Sequence, residues 1–218
     1  MKYSFSILLL WLFSFSAVAQ IIESVGIKAG ISYSNQTYYY KTPGFSIKMD
    51  YKTGLYLVAT AESFRGKHLA LSTEAGFVQK GSQDEVELVT PEFPEGSGQF
   101  TTAKITYSYL TFCPALKAFF DLKKLSFYVQ AGPRLDFRVA TQSDFGGELD
   151  KKKNKLMAGL NWAAGAEYKV SKLRLLLEFS GRPDFTPQLE LAPTENSTGL
   201  KVTGKSFLLT TGLRYQLR

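Results

Sequence analysis

The stretch QAGPRLDFRVA, residues 130–140, alternates polar and apolar side chains along its length. One parity carries the polar residues and glycine, namely Gln130, Gly132, Arg134, Asp136 and Arg138. The other carries Ala131, Pro133, Leu135, Phe137 and Val139. Because successive side chains of a β-strand point to opposite faces, this stretch predicts a strand with one charged and one apolar face. Which of the two faces turns outward decides the fold.

Seven other runs show the same alternation and predict further strands. They lie near Val25–Asn35, Tyr51–Glu62, Leu69–Lys80, Ile105–Phe120, Leu156–Lys169, Leu173–Arg182 and Lys205–Leu217, and the opening strand begins at Leu125. Alternation in runs of about ten residues is typical of transmembrane β-strands. Beyond the first 19 residues no segment has the roughly 18 consecutive apolar residues of a transmembrane helix. We therefore predict an all-β fold, an eight-stranded antiparallel up-and-down transmembrane barrel.

The predicted connections between strands alternate strictly between short and long. SFRGKH, DLKK and VSK form the short ones. The long ones are QTYYYKTPGFSIKMD, GSQDEVELVTPEFPEGSGQFTTAK, ATQSDFGGELDKKKNK and PDFTPQLELAPTENSTGLKVTG. In an up-and-down barrel alternate connections lie at opposite ends, so all long loops project from one end. Short periplasmic turns and long external loops are typical of bacterial outer-membrane barrels.

The amino terminus predicts export. Lys2 precedes the apolar core Ile7–Phe15, and Ala17-Val18-Ala19 forms a small-x-small cleavage site. We expect residues 1–19 to be a removed signal peptide and residues 20–218 to form the barrel domain. Removing Lys2 and no acidic residue lowers the formal charge from +7 to +6. This mild basicity suits anionic lipid headgroups, and an exported chain without a clustered basic helix predicts no nucleic-acid partner.

The polar parity predicts a lumen filled by ion pairs. Its candidate network is Lys28, Glu74, Lys117, Arg134, Asp136, Arg138, Glu167, Arg174, Glu178 and Arg214, with Lys80, Lys169 and Arg182 on the same parity. An eight-stranded barrel has an interior that side chains just fill, so we expect no wide pore. The predicted aromatic girdle on the apolar face is Phe120, Phe137, Tyr168, Phe207 and Tyr215. A soluble lipocalin-like barrel, with the two faces exchanged, remains an alternative.

Six stretches resemble the PorT-like outer-membrane β-barrel family of Bacteroidetes. They are GIKAGISYSN, LSTEAGFVQKGS, YSYLTFCPALKAFF, FYVQAGPRLDF, LNWAAGAEYKV and LLTTGLRYQLR, in strand order over nearly the whole chain. The resemblance implies an eight-stranded barrel in the outer membrane. It implies no defined activity, although the family's namesake is linked to protein secretion. The proline of TFCPALK and the non-aromatic end YQLR depart from the family pattern.

The chemistry-bearing residues predict no catalytic, cofactor or metal site. The single histidine, His68, lies in a predicted tight turn, so no Ser/His/acid set can form around it. A lipid-modifying membrane enzyme that uses lumen acids remains an alternative. Candidate recognition residues are Tyr38, Tyr39 and Tyr40 in the first long loop. DKKKNK, residues 150–155, is a candidate contact for lipopolysaccharide phosphates. Expected partners are outer-membrane lipids, lipopolysaccharide and an envelope protein bound through the loops, with the barrel itself a monomer.

Overall fold

The structure, a computed structural model, describes residues 21–87, 98–144, 153–193 and 198–217. The predicted signal peptide lies outside the described residues. Within these ranges there are ten strands: β1 Ile22–Tyr40, β2 Phe45–Lys48, β3 Asp50–Ser63, β4 Leu69–Glu87, β5 Phe100–Leu122, β6 Leu125–Ser143, β7 Leu156–Val170, β8 Leu173–Pro183, β9 Leu189–Leu191 and β10 Leu200–Gln216. Eight of them form an antiparallel ring in the order β1, β3, β4, β5, β6, β7, β8, β10, which β10 closes by pairing with β1. The eight-stranded up-and-down fold is confirmed.

The two ends of the ring differ as the sequence predicts. Residues 64–68, 123–124 and 171–172 make the short connections at one end, called here the turn end. Each contains one residue in the left-handed region, at Phe64, Lys123 or Ser171. The strand ends that lead into the other connections lie at the opposite end, called here the loop end. Ser24 pairs with Gln216 at the turn end, so both ends of the barrel sequence lie there.

The outward face of the ring is apolar and the inward face is polar. On β6, Leu135 and Phe137 are 47% and 50% exposed, whereas Arg134 and Asp136 are fully buried. Closure pairs the backbone of each of the eight ring strands with two neighbours, which a bilayer requires because lipid offers no hydrogen bonds. The soluble lipocalin-like alternative is wrong, because such a barrel needs the opposite orientation. Among the described residues, no helix is long and apolar enough to cross a membrane.

The strands continue well beyond the height that a bilayer requires. A tilted strand crosses with roughly 9–11 residues, yet β5 has 23 and β4 has 19. Above the barrel, β2 and β9 flank β1 and β10 and form a four-stranded extension, called here the upper sheet. Much of what the sequence predicts as long loops is therefore strand. The prediction was wrong there because both faces of the extension lie outside the bilayer, so alternation no longer marks the strand.

Outward aromatic residues lie toward both ends of the apolar band. Near the turn end are Phe120, Phe127, Tyr168 and Tyr215. Nearer the loop end are Phe137, Tyr33 stacked on Tyr51, and a cluster of Trp162, Phe179 and Phe207. The members of the predicted girdle thus divide between the two ends. Girdles of aromatic side chains at these two heights lie at the headgroup level of membranes.

Candidate functional site

Among the described residues, the buried ion pairs of the lumen form three layers. The middle layer consists of Lys28 on β1, Glu74 on β4, and Glu178 and Arg182 on β8. Lys28 Nζ bridges the two carboxylates, at 2.5 Å from Glu74 Oε1 and 2.7 Å from Glu178 Oε2. Arg182 Nη2 lies 3.3 Å from Glu74 Oε2. Two cations face two carboxylates, so this layer has no formal net charge.

Neutral polar groups complete the middle layer. Tyr56 donates to Glu74 Oε2 at 2.8 Å and accepts from Arg182 at 2.7 Å. Tyr128 donates to Glu178 at 2.7 Å, and its ring occupies the space beside Gly165, where a Cβ would lie only 2.6 Å from it. Because buried charge is costly unless it is paired and hydrogen-bonded, these donors are needed for the layer to exist in a filled lumen.

The turn-side layer lies between the middle layer and the tight turns. Glu62 and Glu167 each contact both Lys117 and Arg214. Arg214 Nη1 lies 2.6 Å from Glu62 Oε1, and Lys117 Nζ lies 4.0 Å from the centre of the Tyr128 ring. At the rim, two partly accessible arginines add further contacts: Arg174 to Glu167 at 3.1 Å, and Arg65 to Glu62 at 3.0 Å and Asp121 at 3.4 Å.

The loop-side layer contains Lys80, Arg134, Asp136 and Asp184. Lys80 Nζ lies 2.5 Å from Asp136 Oδ2 and 3.3 Å from Asp184 Oδ1. Arg134 Nε lies 2.9 Å from Asp136 Oδ2, and Arg134 Nη2 contacts Asp184. Again two cations meet two carboxylates. Repetition of this balance at three heights fills the lumen with paired charge.

Segments of the loop end fold over the mouth of the barrel. Lys153 is only 5% exposed; its ammonium donates to the Tyr107 hydroxyl and lies 6.0 Å from the centre of the Tyr38 ring. Gln36 on β1 donates to Gln188, and the Gln188 carbonyl accepts from the Asn154 amide at 2.7 Å. The mouth is therefore covered by residues from three loop-end segments.

Not every predicted site residue lies where its pattern suggests. Arg138 donates to the Lys153 carbonyl at 2.7 Å and lies 5.7 Å from the centre of the Tyr107 ring, so it belongs to the mouth. Of the tyrosine run, Tyr38 joins the mouth, Tyr39 is exposed, and Tyr40 stacks on Phe45 at 4.7 Å. The residues predicted in the network and found in ion pairs of the layers are Lys28, Glu74, Lys117, Arg134, Asp136, Glu167, Arg174, Glu178 and Arg214.

Two carboxylates of the layers were missed from the sequence. Glu62 shares the inward parity of Tyr56 and Thr60, so strand alternation contained the signal. Asp184 lies just beyond β8, and its bridge to Gly159 continues the register of the β7–β8 pair. It therefore keeps the inward parity of Glu178 and Arg182. It was missed because the predicted strand ended at Arg182.

The described residues offer little for other chemistry. No group of three His, Cys, Asp or Glu side chains able to hold a metal ion occurs among them. His68 lies at the turn end and lines an outward apolar groove, away from the lumen carboxylates. The DKKKNK segment is described only from Lys153 onward; Lys153 is buried and Lys155 is exposed. Lys153 is therefore not accessible to a lipopolysaccharide phosphate, and the contact through Lys155 stays a prediction.

Residues 19–187 match the family described as outer membrane protein beta-barrel domain. The search of curated protein sequences found no match. Among solved structures, the chain is similar to Neisserial surface protein A, with 12% identity and a TM-score of 0.49, covering 88% of this chain and 97% of that one. It is also similar to Ail, the attachment invasion locus protein of Yersinia pestis, in complex with sucrose octasulfate (12%, TM-score 0.44, 88% and 99% covered). A third is the outer membrane protease OmpT from Escherichia coli (9%, TM-score 0.44, 90% and 97% covered).

Proposed function

Because the chain belongs to the outer membrane protein beta-barrel domain family and lies in the outer membrane, we propose that it is a sealed, monomeric barrel that serves as a recognition platform. The barrel anchors the protein, and the loop end contacts a partner outside the bilayer. The observation that carries this proposal is the combination of a lumen closed by paired charge and strands that continue far above it.

Transport through the lumen is disfavoured by the three layers. A solute would have to displace paired charges at each height, and breaking a buried pair costs about 3–5 kcal/mol. The mouth adds a further barrier, since Lys153 and Gln188 lie across it. The protein is therefore expected to act through binding at its outer surfaces and not through its lumen.

The loop end offers the features of a protein-contact surface. The upper sheet and the top of β5 expose large apolar side chains at positions beyond the membrane-spanning part, namely Tyr39, Phe45, Ile47 and Phe100. Exposed apolar side chains clustered away from the bilayer mark interaction sites. The resemblance to the PorT-like barrels of Bacteroidetes supports a partner in envelope assembly or secretion, and the neighbouring lysines support contact with lipopolysaccharide phosphates.

Conductance measurements test whether the lumen is sealed. The purified protein in planar bilayers should give no current steps of the size of open porins. The matched control exchanges Lys28, Glu74, Glu178 and Arg182 together for serine, which empties the middle layer without changing net charge. We expect this variant to conduct more than the parent chain. Porin-sized conductance by the unmodified protein would refute a sealed barrel.

Site-specific photo-crosslinking in intact cells tests the platform. A crosslinking residue at Phe45 or Phe100 should capture one defined envelope protein, and the same residue at the lipid-facing Leu135 should not. Epitope tags at residues 41–44 should be removed by external protease. Equal capture from all three positions, or tags that survive in intact cells, would reject the loop end as the contact surface.

A further inference from the structure

The turn end carries a ring of lysines without acidic partners. Arg65 contacts both nearby carboxylates, Glu62 and Asp121. The other lysines in or beside the three turns are exposed, and none has a carboxylate within 4.0 Å in the described part of the chain: Lys67, Lys123, Lys124, Lys169 and Lys172. Short turns of outer-membrane barrels face the periplasm. These lysines therefore lie at the level of the periplasmic-leaflet headgroups.

An apolar groove runs down the outer wall beside two of these turns. Its volume is about 390 Å³. Ala118 on β5 pairs with Leu69 on one side and with Val129 on the other, and the aromatic pair Phe120–Phe127 stands nearer the turns. The small Ala118 side chain between larger neighbours makes the depression. His68 lines the groove where it meets the β3–β4 turn.

The β5–β6 turn also borders a polar pocket on its other side. This pocket of about 80 Å³ is lined by Lys123, Lys124, Lys169 and Arg174, together with Asp121 and Glu167. Four cations against two carboxylates leave a local excess of positive charge. Both turns lie at the turn end of the groove. Lys67 precedes His68, which lines the groove, and Lys123 and Lys124 lie on the β5–β6 turn, which joins the strands of Phe120 and Phe127.

We propose that this face seats one anionic phospholipid of the periplasmic leaflet. An acyl chain lies in the groove over Ala118, and the phosphate lies among Lys67, Lys123 and Lys124. Lysine acts on phosphate as a point charge without demanding geometry, and basic residues near a membrane surface favour anionic lipids. A zwitterionic headgroup gains less, because its own cation repels the lysines. The site is separate from the loop-end platform and does not depend on it.

Native mass spectrometry of the detergent-solubilised barrel tests this lipid-binding site. The probes are phosphatidylglycerol and phosphatidylcholine with identical acyl chains, and inorganic phosphate alone. We expect one phosphatidylglycerol to be retained in preference to phosphatidylcholine. In the triple variant Lys67→Gln/Lys123→Asn/Lys124→Gln, the ratio of bound phosphatidylglycerol to bound phosphatidylcholine should fall roughly fivefold for each lysine removed. Asparagine is chosen at position 123 because it tolerates the φ of 54° found there.

Two further variants distinguish binding of the headgroup from binding of the acyl chain and from a general effect of charge. Ala118→Phe fills the groove on the lipid-facing side and should weaken phosphatidylglycerol binding without changing charge. The control Lys104→Gln/Lys201→Gln/Lys205→Gln removes the same charge at the loop end and should leave binding unchanged. The proposal fails if both lipids bind equally, if the loop-end control weakens binding as much, if Ala118→Phe has no effect, or if inorganic phosphate alone displaces the lipid.

Discussion

Pro114 on β5 lies opposite Pro133 on β6, both facing outward. The β5–β6 ladder is interrupted around this pair, and the nearest paired residues on either side are Phe112 with Leu135 and Leu116 with Ala131. A register shift between Ser108 and Tyr109 is a separate irregularity of the same ladder. Alternate pairs in an antiparallel ladder exchange two N–H···O=C bonds. Proline lacks the N–H, so two prolines facing each other remove both hydrogen bonds of a single residue pair. The same two prolines at different positions would each remove a hydrogen bond from a separate pair. Both prolines keep their pairing with the outer neighbour strands.

Replacing both prolines should stabilise the barrel. In Pro114→Ala/Pro133→Ala each new N–H can donate to the carbonyl opposite, in a medium that offers no water instead. We expect a gain of roughly 1–2 kcal/mol in the free energy of unfolding, since a net backbone hydrogen bond contributes about 0.5–1.5 kcal/mol. Urea unfolding in lipid vesicles measures it. The control Pro193→Ala, which lies outside the strands, should bring no gain; a double variant less stable than the parent would contradict the expectation.

Removing Lys28 should destabilise the barrel strongly. Lys28→Met leaves Glu178 buried without the cation that contacts it, and breaking a buried pair costs about 3–5 kcal/mol. Adding Glu178→Gln restores neutrality and should recover most of the loss. The midpoint of urea unfolding reports both effects. The exposed Lys205→Met should change stability by less than about 0.5 kcal/mol, and a single variant no worse than this control would argue against a paired lumen.

Lys153 and Lys155 provide an internal comparison for the covered mouth. Lys153 is buried against Tyr107, and Lys155, two residues on, is exposed. An amine-reactive reagent applied to the folded protein should modify Lys155 at least about tenfold faster, because Lys153 reacts only after local opening. Peptide mapping by mass spectrometry gives the two rates. Equal rates would mean that the mouth is open in solution.

The contact between Lys41 and Glu190 should respond to pH. The hydrogen bond from the Lys41 ammonium, together with its charge, lowers the pKa of the Glu190 carboxyl from its usual value. Because the folded pKa is depressed, the contact supports the upper sheet above the unfolded pKa of about 4.3 and is lost as the pH falls through the folded value. NMR titration of the carboxyl should show Lys41→Gln raising this pKa, while Lys48→Gln leaves it unchanged. A pKa insensitive to Lys41 would contradict the contact.

Strand alternation predicted the barrel well because the bilayer enforces it on every membrane-spanning residue. Parity placed Arg134 and Asp136 on one face, and the loop lengths and aromatic positions favoured that face as the lumen. Glu62 was available by the same argument. The upper sheet was not predictable in this way, since outside the bilayer neither face of a strand must be apolar. Asp184 follows β8 on the inward parity of Arg182, so extending the predicted strand by two residues would have found it. Lys153 enters the barrel from a segment without alternation, so only the folded chain brings it to its partner.

The Ser24–Gln216 pair has a consequence for biogenesis. The ring is sealed by the two strands that are farthest apart in the chain, so its closing contact has the longest possible loop and forms late. A polypeptide released before residues 200–216 are made would leave β1 and β8 as open edges that invite aggregation. Residues 200–216 must therefore be exported before the ring can close.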